Sequence, residues 1–235
     1  MSVVDEHSSH EHHGHYAEGG NHHDTPQAKH RKEHMLLWML IGGDMVFTAL
    51  IIFAWFYLKA LNVEGMWRGA ACKPNFNAGL NQSCTDGIGN AINHIVPTAA
   101  PLHTFAIAIL AIVGAGFMWF AEVQARQGAS GKATTPLLGL GALAILGALV
   151  WQIYQFQVLP FTTVQGAYAS SFEYIMGSNV AHLALVSIVA VGLFIRGSKG
   201  LHDNGRWYQI HLSRLFAVWV AFSITLLAFM VTFFN

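Results

Sequence analysis

Long apolar stretches dominate the chain after residue 34, and polar residues gather in the segments between them. Each stretch reaches the roughly 20 residues that an α-helix needs to cross the hydrocarbon core of a bilayer. None of them alternates with the period of two that is typical of membrane β-barrel strands. The pattern therefore predicts an all-α polytopic membrane protein, a bundle of five transmembrane helices. The predicted helices cover residues 35–58, 102–124, 136–156, 172–195 and 210–234.

Residues 1–34 form a contrasting polar segment, which we expect to be disordered because it has few apolar side chains to bury. It holds nine of the fourteen histidines and lacks the apolar core of a cleavable signal peptide. We favour a solvated tail. A proton-buffering surface is an alternative, and so is a metal-binding arm, because imidazole binds divalent zinc, copper or nickel. The histidines that would serve a metal are His10, His12, His13, His15, His22 and His23.

Composition and charge support a membrane location for residues 35–235. Charged residues make up 10% of the chain, against about 25% of an ordinary soluble domain. The formal net charge is zero and no dense basic stripe is present, which excludes the nucleic-acid-binding class. Eight Lys and Arg residues lie in segments on the side of the N-terminus and three on the other side. This asymmetry predicts a cytoplasmic N-terminus and a C-terminus outside the cytoplasm.

The long loop at residues 59–100 contains both cysteines, Cys72 and Cys84. In the predicted orientation this loop lies outside the cytoplasm, where an oxidising compartment permits a disulfide. Two unpaired thiols remain an alternative, since spacing alone proves no bond. A zinc site is less favoured, because the spacing matches no compact zinc motif.

Several predicted helices carry polar side chains that are costly in hydrocarbon, roughly 2.5–3.5 kcal/mol for a charge at the bilayer centre. Asp44, the only acidic residue of the first stretch, should therefore contact His182 or Asn179 of the fourth. Glu122 and Trp119 are interpreted as interfacial residues near the cytoplasmic end of the second helix. The residues expected to contact lipid or other helices are Asp44, His103, Gln152, Gln155, Glu173, Asn179, His182, His211 and Arg214.

Residues 166–182, GAYASSFEYIMGSNVAH, resemble the start of the fourth shared helix in subunit III of the haem-copper terminal oxidases. The small residues of this stretch also predict close packing against another helix. The family pattern reads G-x-Y-x-S-x-F and then G-x-x-x-x-H. Its places are filled by Gly166, Tyr168, Ser170, Phe172, Gly177 and His182.

Other helices match weaker parts of the family pattern. Gly43-Asp44 resembles the S-[ED] phrase of the first helix, and residues 207–211 resemble the W-x-F/Y-x-H phrase of the last. The ending of the third helix, with Gln152 and Gln155 on one face, resembles Q-x-x-E with an amide in place of the acid.

Two positions depart from the family. His103 stands where Asn is usual, and Arg214 stands where the family has Asp, which reverses the charge. An intramembrane cation needs a carboxylate or a lipid phosphate. Arg214 could alternatively extend toward the headgroups, since it is one turn from the predicted interface.

The resemblance implies a non-catalytic subunit III of a proton-pumping oxygen reductase in the bacterial cell membrane. Its partners would be oxidase subunits I and II and bound phospholipid, and it would support the stability and proton uptake of subunit I. Haem and copper would lie in subunit I, copper could also lie in subunit II, and this chain would hold no cofactor. The electron donor, cytochrome c or quinol, stays open.

The helices show no pattern that indicates a catalytic centre. His103, His182 and His211 include no i, i+3 or i, i+4 pair that could ligate a haem from one helix face. Two alternatives remain open. One is a His-rich membrane metal transporter or metal-responsive protein, and the other is an accessory subunit of a nitric oxide reductase of the same superfamily.

Overall fold

The computed structural model of the protein describes residues 26–61, 67, 98–163, 166–200 and 207–234. These residues form five α-helices and no strand, each helix long and apolar enough to cross a membrane. The predicted all-α, five-helix membrane bundle is confirmed. The helices are α1 Pro26–Ala60, α2 Pro101–Arg126, α3 Gly131–Gln157, α4 Ala167–Ser198 and α5 Trp207–Phe233.

Helix α1 begins earlier than the apolar pattern suggests. Residues 26–34, for which the sequence predicts disorder, belong to this helix, so that boundary is wrong. Hydropathy identifies the part of a helix that crosses the hydrocarbon core, but it does not show whether the helix continues into polar residues beyond that part. Pro26 suits the first position of a helix, where its missing N–H costs no bond. The histidines of the preceding tail, and Cys72 and Cys84 with their predicted disulfide, lie outside the described residues.

Helix α4 begins at Ala167, directly after a position whose backbone conformation requires glycine. Gly166 has a φ of 144°, a left-handed conformation that side chains with a Cβ rarely adopt. The chain can therefore turn sharply from the segment around Phe161 into α4. Phe161 then packs against Tyr168 and Phe172 in the first turns of that helix.

Helices α2 and α3 approach each other closely at a pair of glycines, Gly114 and Gly141. A Cβ atom on Gly141 would lie 3.2 Å from the carbonyl oxygen of Gly114, and one on Gly114 would lie 2.5 Å from Cγ1 of Ile145. Small residues permit such backbone contact between membrane helices. Only some of the small residues at the start of α4 lie against another part of the bundle: Ala169 is buried, whereas Ser170 is exposed.

Helix α1 lies at the edge of the bundle. Only 17% of its most apolar 18-residue window is buried, against 56% for α5. One of its few deeply buried side chains is Trp55, whose Nε1 donates to the carbonyl oxygen of Phe234 at 3.0 Å. The position of α1 therefore depends on a small number of specific contacts rather than on broad packing.

Candidate functional site

The carboxylate of Asp44 joins α1 to two other helices. Its Oδ1 lies 2.6 Å from Nε2 of His182 in α4, and its Oδ2 accepts a hydrogen bond from Nε1 of Trp219 in α5 at 2.5 Å. Little of the pair faces outward, since the side chains of Asp44 and His182 are 13% and 11% exposed. The predicted contact between Asp44 and His182 is confirmed. Asn179, the other predicted partner, bonds to α3 instead.

The ring of His182 is oriented by neighbours on both sides. The hydroxyl of Ser178, one turn earlier in α4, lies 3.4 Å from Nδ1, and Phe47 of α1 meets the ring edge-on. With Nδ1 facing the hydroxyl, Nε2 is directed at the carboxylate. An N–H donated to a carboxylate is a charge-assisted bond, stronger than one between neutral groups. The Asp44–His182 contact is thus suited to hold two helices in a fixed relation.

A hydroxyl pair extends the seam between α1 and α5 by one turn. Thr48 Oγ1 lies 3.2 Å from Oγ of Ser223, and both residues are buried. Thr48 follows Asp44 by four residues, so both side chains lie on the same face of α1. That polar face is the one turned toward the bundle.

A second charged cluster surrounds Glu122 of α2, whose side chain is only 3% exposed. Its carboxylate lies 2.5 Å from Arg126, 2.9 Å from Nδ1 of His211 and 2.7 Å from Nε of Arg214. The depth of Glu122 near the interface stays a prediction, but its side chain is buried within the protein rather than exposed to headgroups or water. Its side chain faces α5, and the basic groups of that helix cover it, so that it is paired within the protein.

The partner of Arg214 is therefore Glu122 rather than a lipid headgroup. The guanidinium also lies over the ring of Trp119, 5.2 Å from its centroid, in a cation–π arrangement. The contact with Glu122 is an ion pair without hydrogen-bond geometry, since the Nε–H is not directed at the oxygen. Sequence reasoning missed this pair. The available signal was that Glu122, His211 and Arg214 all fall near helix ends on one predicted side of the membrane.

Aromatic contacts attach the polar start of α1 to the same end of α5. Tyr208 donates its hydroxyl to the carbonyl oxygen of His30 at 2.5 Å, and the two rings stack at 4.1 Å. His34, one turn further along α1, stacks on His211 with centroids 5.9 Å apart. The residues that surround Glu122 are therefore in contact with α1 as well as with α2.

Three buried amides join α3 to α4. Gln152 donates from Nε2 to Oε1 of Gln155 at 3.0 Å, and Asn179 donates from Nδ2 to Oε1 of Gln152 at 3.4 Å. The prediction that Gln152 and Gln155 share one face is confirmed by their hydrogen bond.

The remaining predicted polar residues lie away from these clusters. His103 accepts a hydrogen bond at Nδ1 from Nε1 of Trp151 at 3.1 Å, which links α2 to α3. Glu173 accepts one from the hydroxyl of Thr163, in the segment that leads into α4. Each stabilises a local contact, and neither joins the Asp44 or the Glu122 cluster.

No protein-family model matches the chain, and no curated protein matches it. The site must therefore be judged by its own chemistry. Among the described residues, no group of three or more His, Cys, Asp and Glu side chains is placed to hold a metal ion. What the Asp44 and Glu122 clusters provide is ion pairing and hydrogen bonding between helices that are distant in sequence.

Proposed function

We propose that the chain is a non-catalytic subunit of a proton-pumping haem-copper oxygen reductase, in the position of subunit III. The contact between Asp44 and His182 carries the proposal. These residues belong to two separate phrases of the family pattern, 138 residues apart, and their side chains meet at 2.6 Å. Two phrases that match separately and then form one contact support the resemblance more than either phrase alone.

The proposed role is to stabilise subunit I and to support its proton uptake. The exposed side of α1 supports a role in lateral association, because large apolar side chains cover it and would contact either lipid chains or a partner helix. Examples are Met35, Leu36, Trp38, Met39, Leu40 and Phe53. The proposed partners are oxidase subunits I and II and phospholipid. Haem and copper would be held by subunit I, with copper also in subunit II in a cytochrome c oxidase.

Purification of the tagged chain from its native membranes in a mild detergent tests the proposal. We expect larger subunits to co-purify, with haem visible in a reduced-minus-oxidised spectrum and copper in elemental analysis. Oxygen consumption with reduced cytochrome c or with quinol would identify the electron donor. Recovery of the folded chain in native lipid without haem or partner subunits would contradict the proposal.

A metal transporter or metal-responsive protein is the second candidate, favoured by the nine histidines in residues 1–34. Such a protein would purify without haem and would carry zinc, copper or nickel into proteoliposomes. Deletion of residues 1–24 should then reduce metal uptake. A complex that contains haem but reduces nitric oxide instead of oxygen would indicate the related reductase.

A further inference from the structure

The amide cluster borders a small cavity where four helices meet. Thr104 of α2, Gln152 and Gln155 of α3 and Asn179 of α4 line one part of it, and apolar side chains of α4 and α5 line the rest. Its volume is about 10 Å³, measured as the space open to the centre of a water molecule. This is roughly the minimum that one buried water requires.

The amides form a chain with one unused group at each end. Asn179 donates to Gln152, and Gln152 donates to Gln155. Oδ1 of Asn179 is left as an acceptor and Nε2 of Gln155 as a donor, and neither atom has a partner among the described residues. Both residues are more than nine-tenths buried. Reversing all three amides exchanges the two ends but still leaves one donor and one acceptor.

We propose that one water molecule binds in this cavity and closes the amide chain into a ring. It accepts a hydrogen bond from Gln155 Nε2 and donates one to Asn179 Oδ1. The free ends identify the ligand, because a bare cation offers the N–H no acceptor and a simple anion offers the carbonyl no donor. Buried polar groups without partners are rare and costly, and a bound water satisfies both ends.

Thr104 supplies a third partner for this water. Its hydroxyl donates to the carbonyl oxygen of Pro101 at 2.9 Å and keeps acceptor capacity for the second water proton. Three hydrogen bonds are typical of a buried water. The water therefore links α2, α3 and α4, and this assignment holds whether or not the chain is an oxidase subunit.

Radiolytic labelling tests the proposal directly, because X-rays generate hydroxyl radicals from bound water as well as from bulk water. Met176 lines the cavity and is 2% exposed, whereas Met118, which is 0% exposed, does not line it. With the full chain in lipid nanodiscs, mass spectrometry should show Met176 oxidised several times faster than Met118. Equal rates for these two methionines would show a dry cavity and overturn the proposal.

Two variants of α4 sharpen the test. Asn179→Leu keeps the branching of the side chain but removes the acceptor and adds apolar bulk beside the cavity, so it should lower the oxidation rate of Met176 to that of Met118. Ser187→Ala changes another buried polar residue of α4 that does not line the cavity, and it should leave the Met176 rate unchanged. A fast Met176 rate that persists in Asn179→Leu would overturn the assignment. If that variant does not fold, the comparison within the native chain still decides.

Discussion

Asp44 provides one carboxylate for two N–H groups from different helices, His182 in α4 and Trp219 in α5. In hydrocarbon these donors have no water to replace a lost acceptor. The strength of the contact therefore depends on keeping an acceptor at this position as well as on keeping a charge.

We expect Asp44→Leu to lower the free energy of unfolding by about 2 kcal/mol, since it leaves both N–H groups without an acceptor. Asp44→Asn retains an acceptor and should cost less. Thr48→Val, one turn along α1, removes the neutral contact with Ser223 and should cost about 0.6 kcal/mol, the average for such bonds in membrane bundles. Denaturant titration in mixed micelles measures all three. Equal losses for Asp44→Leu and Thr48→Val would contradict the special role of Asp44.

Removal of the Glu122 carboxylate should be more damaging. Glu122→Gln leaves Arg214 without its buried counter-charge, a change that typically costs about 3–5 kcal/mol. Arg126→Gln should cost less than about 1 kcal/mol, because the Arg126 side chain is 48% exposed and such pairs are weak. The same titration measures both losses.

A double-mutant cycle separates the ion pair from other effects of the substitution. The variant with both Glu122→Gln and Arg214→Gln should regain part of the stability lost in Glu122→Gln. If the loss of stability in the double variant equals the sum of the losses in Glu122→Gln and Arg214→Gln, the ion pair itself contributes no stability.

The contact between Asp44 and His182 could be predicted from the sequence, whereas the cluster around Glu122 could not. Asp44 lies deep in an apolar stretch, where few polar groups at the same depth could serve as a partner, and His182 was one of them. Glu122 lies near a helix end, where a side chain can face either water or protein. Whether Glu122 faces water or protein depends on the rotation of α2 about its own axis. The sequence of α2 does not reveal this rotation, because apolar residues occur on every side of the helix.

At the scale of helices, the number and approximate position of the elements followed from length and hydropathy alone. The helix ends did not, because α1 continues into polar residues that hydropathy cannot distinguish from a loop. The contact at Gly114 and Gly141 was equally hidden. The sequence contains many glycines, and only the packing shows which of them touch another backbone.

We expect Gly114→Ala to destabilise the bundle by about 1–3 kcal/mol, the usual cost of overpacking. The new methyl would meet Ile145 at 2.5 Å and the backbone oxygen of Gly141 at 3.1 Å. Gly116→Ala is the matched control on the same helix, because no atom of a packing neighbour lies within 4 Å of its Cβ position. It should be neutral or slightly stabilising, as Ala favours a helix. Similar melting temperatures for the two variants would contradict the close packing of α2 on α3.

At the scale of the whole molecule, the orientation in the membrane stays a prediction from the Lys and Arg distribution. An alkaline phosphatase fused to the C-terminus should be active, and a green fluorescent protein at the same position should be dark. Both reporters inserted in the α2–α3 turn, residues 127–130, should give the opposite result. A fluorescent C-terminal fusion would reverse the assignment.

The peripheral position of α1 has a consequence for how the protein is made. Synthesis proceeds from the N-terminus, so α1 reaches the membrane first, while the partners of Asp44 lie 138 and 175 residues further along the chain. Until α4 and α5 emerge, this carboxylate has neither His182 nor Trp219 to bind. An unfinished copy therefore differs from a finished one by an acid in its first helix that has not yet met these two partners.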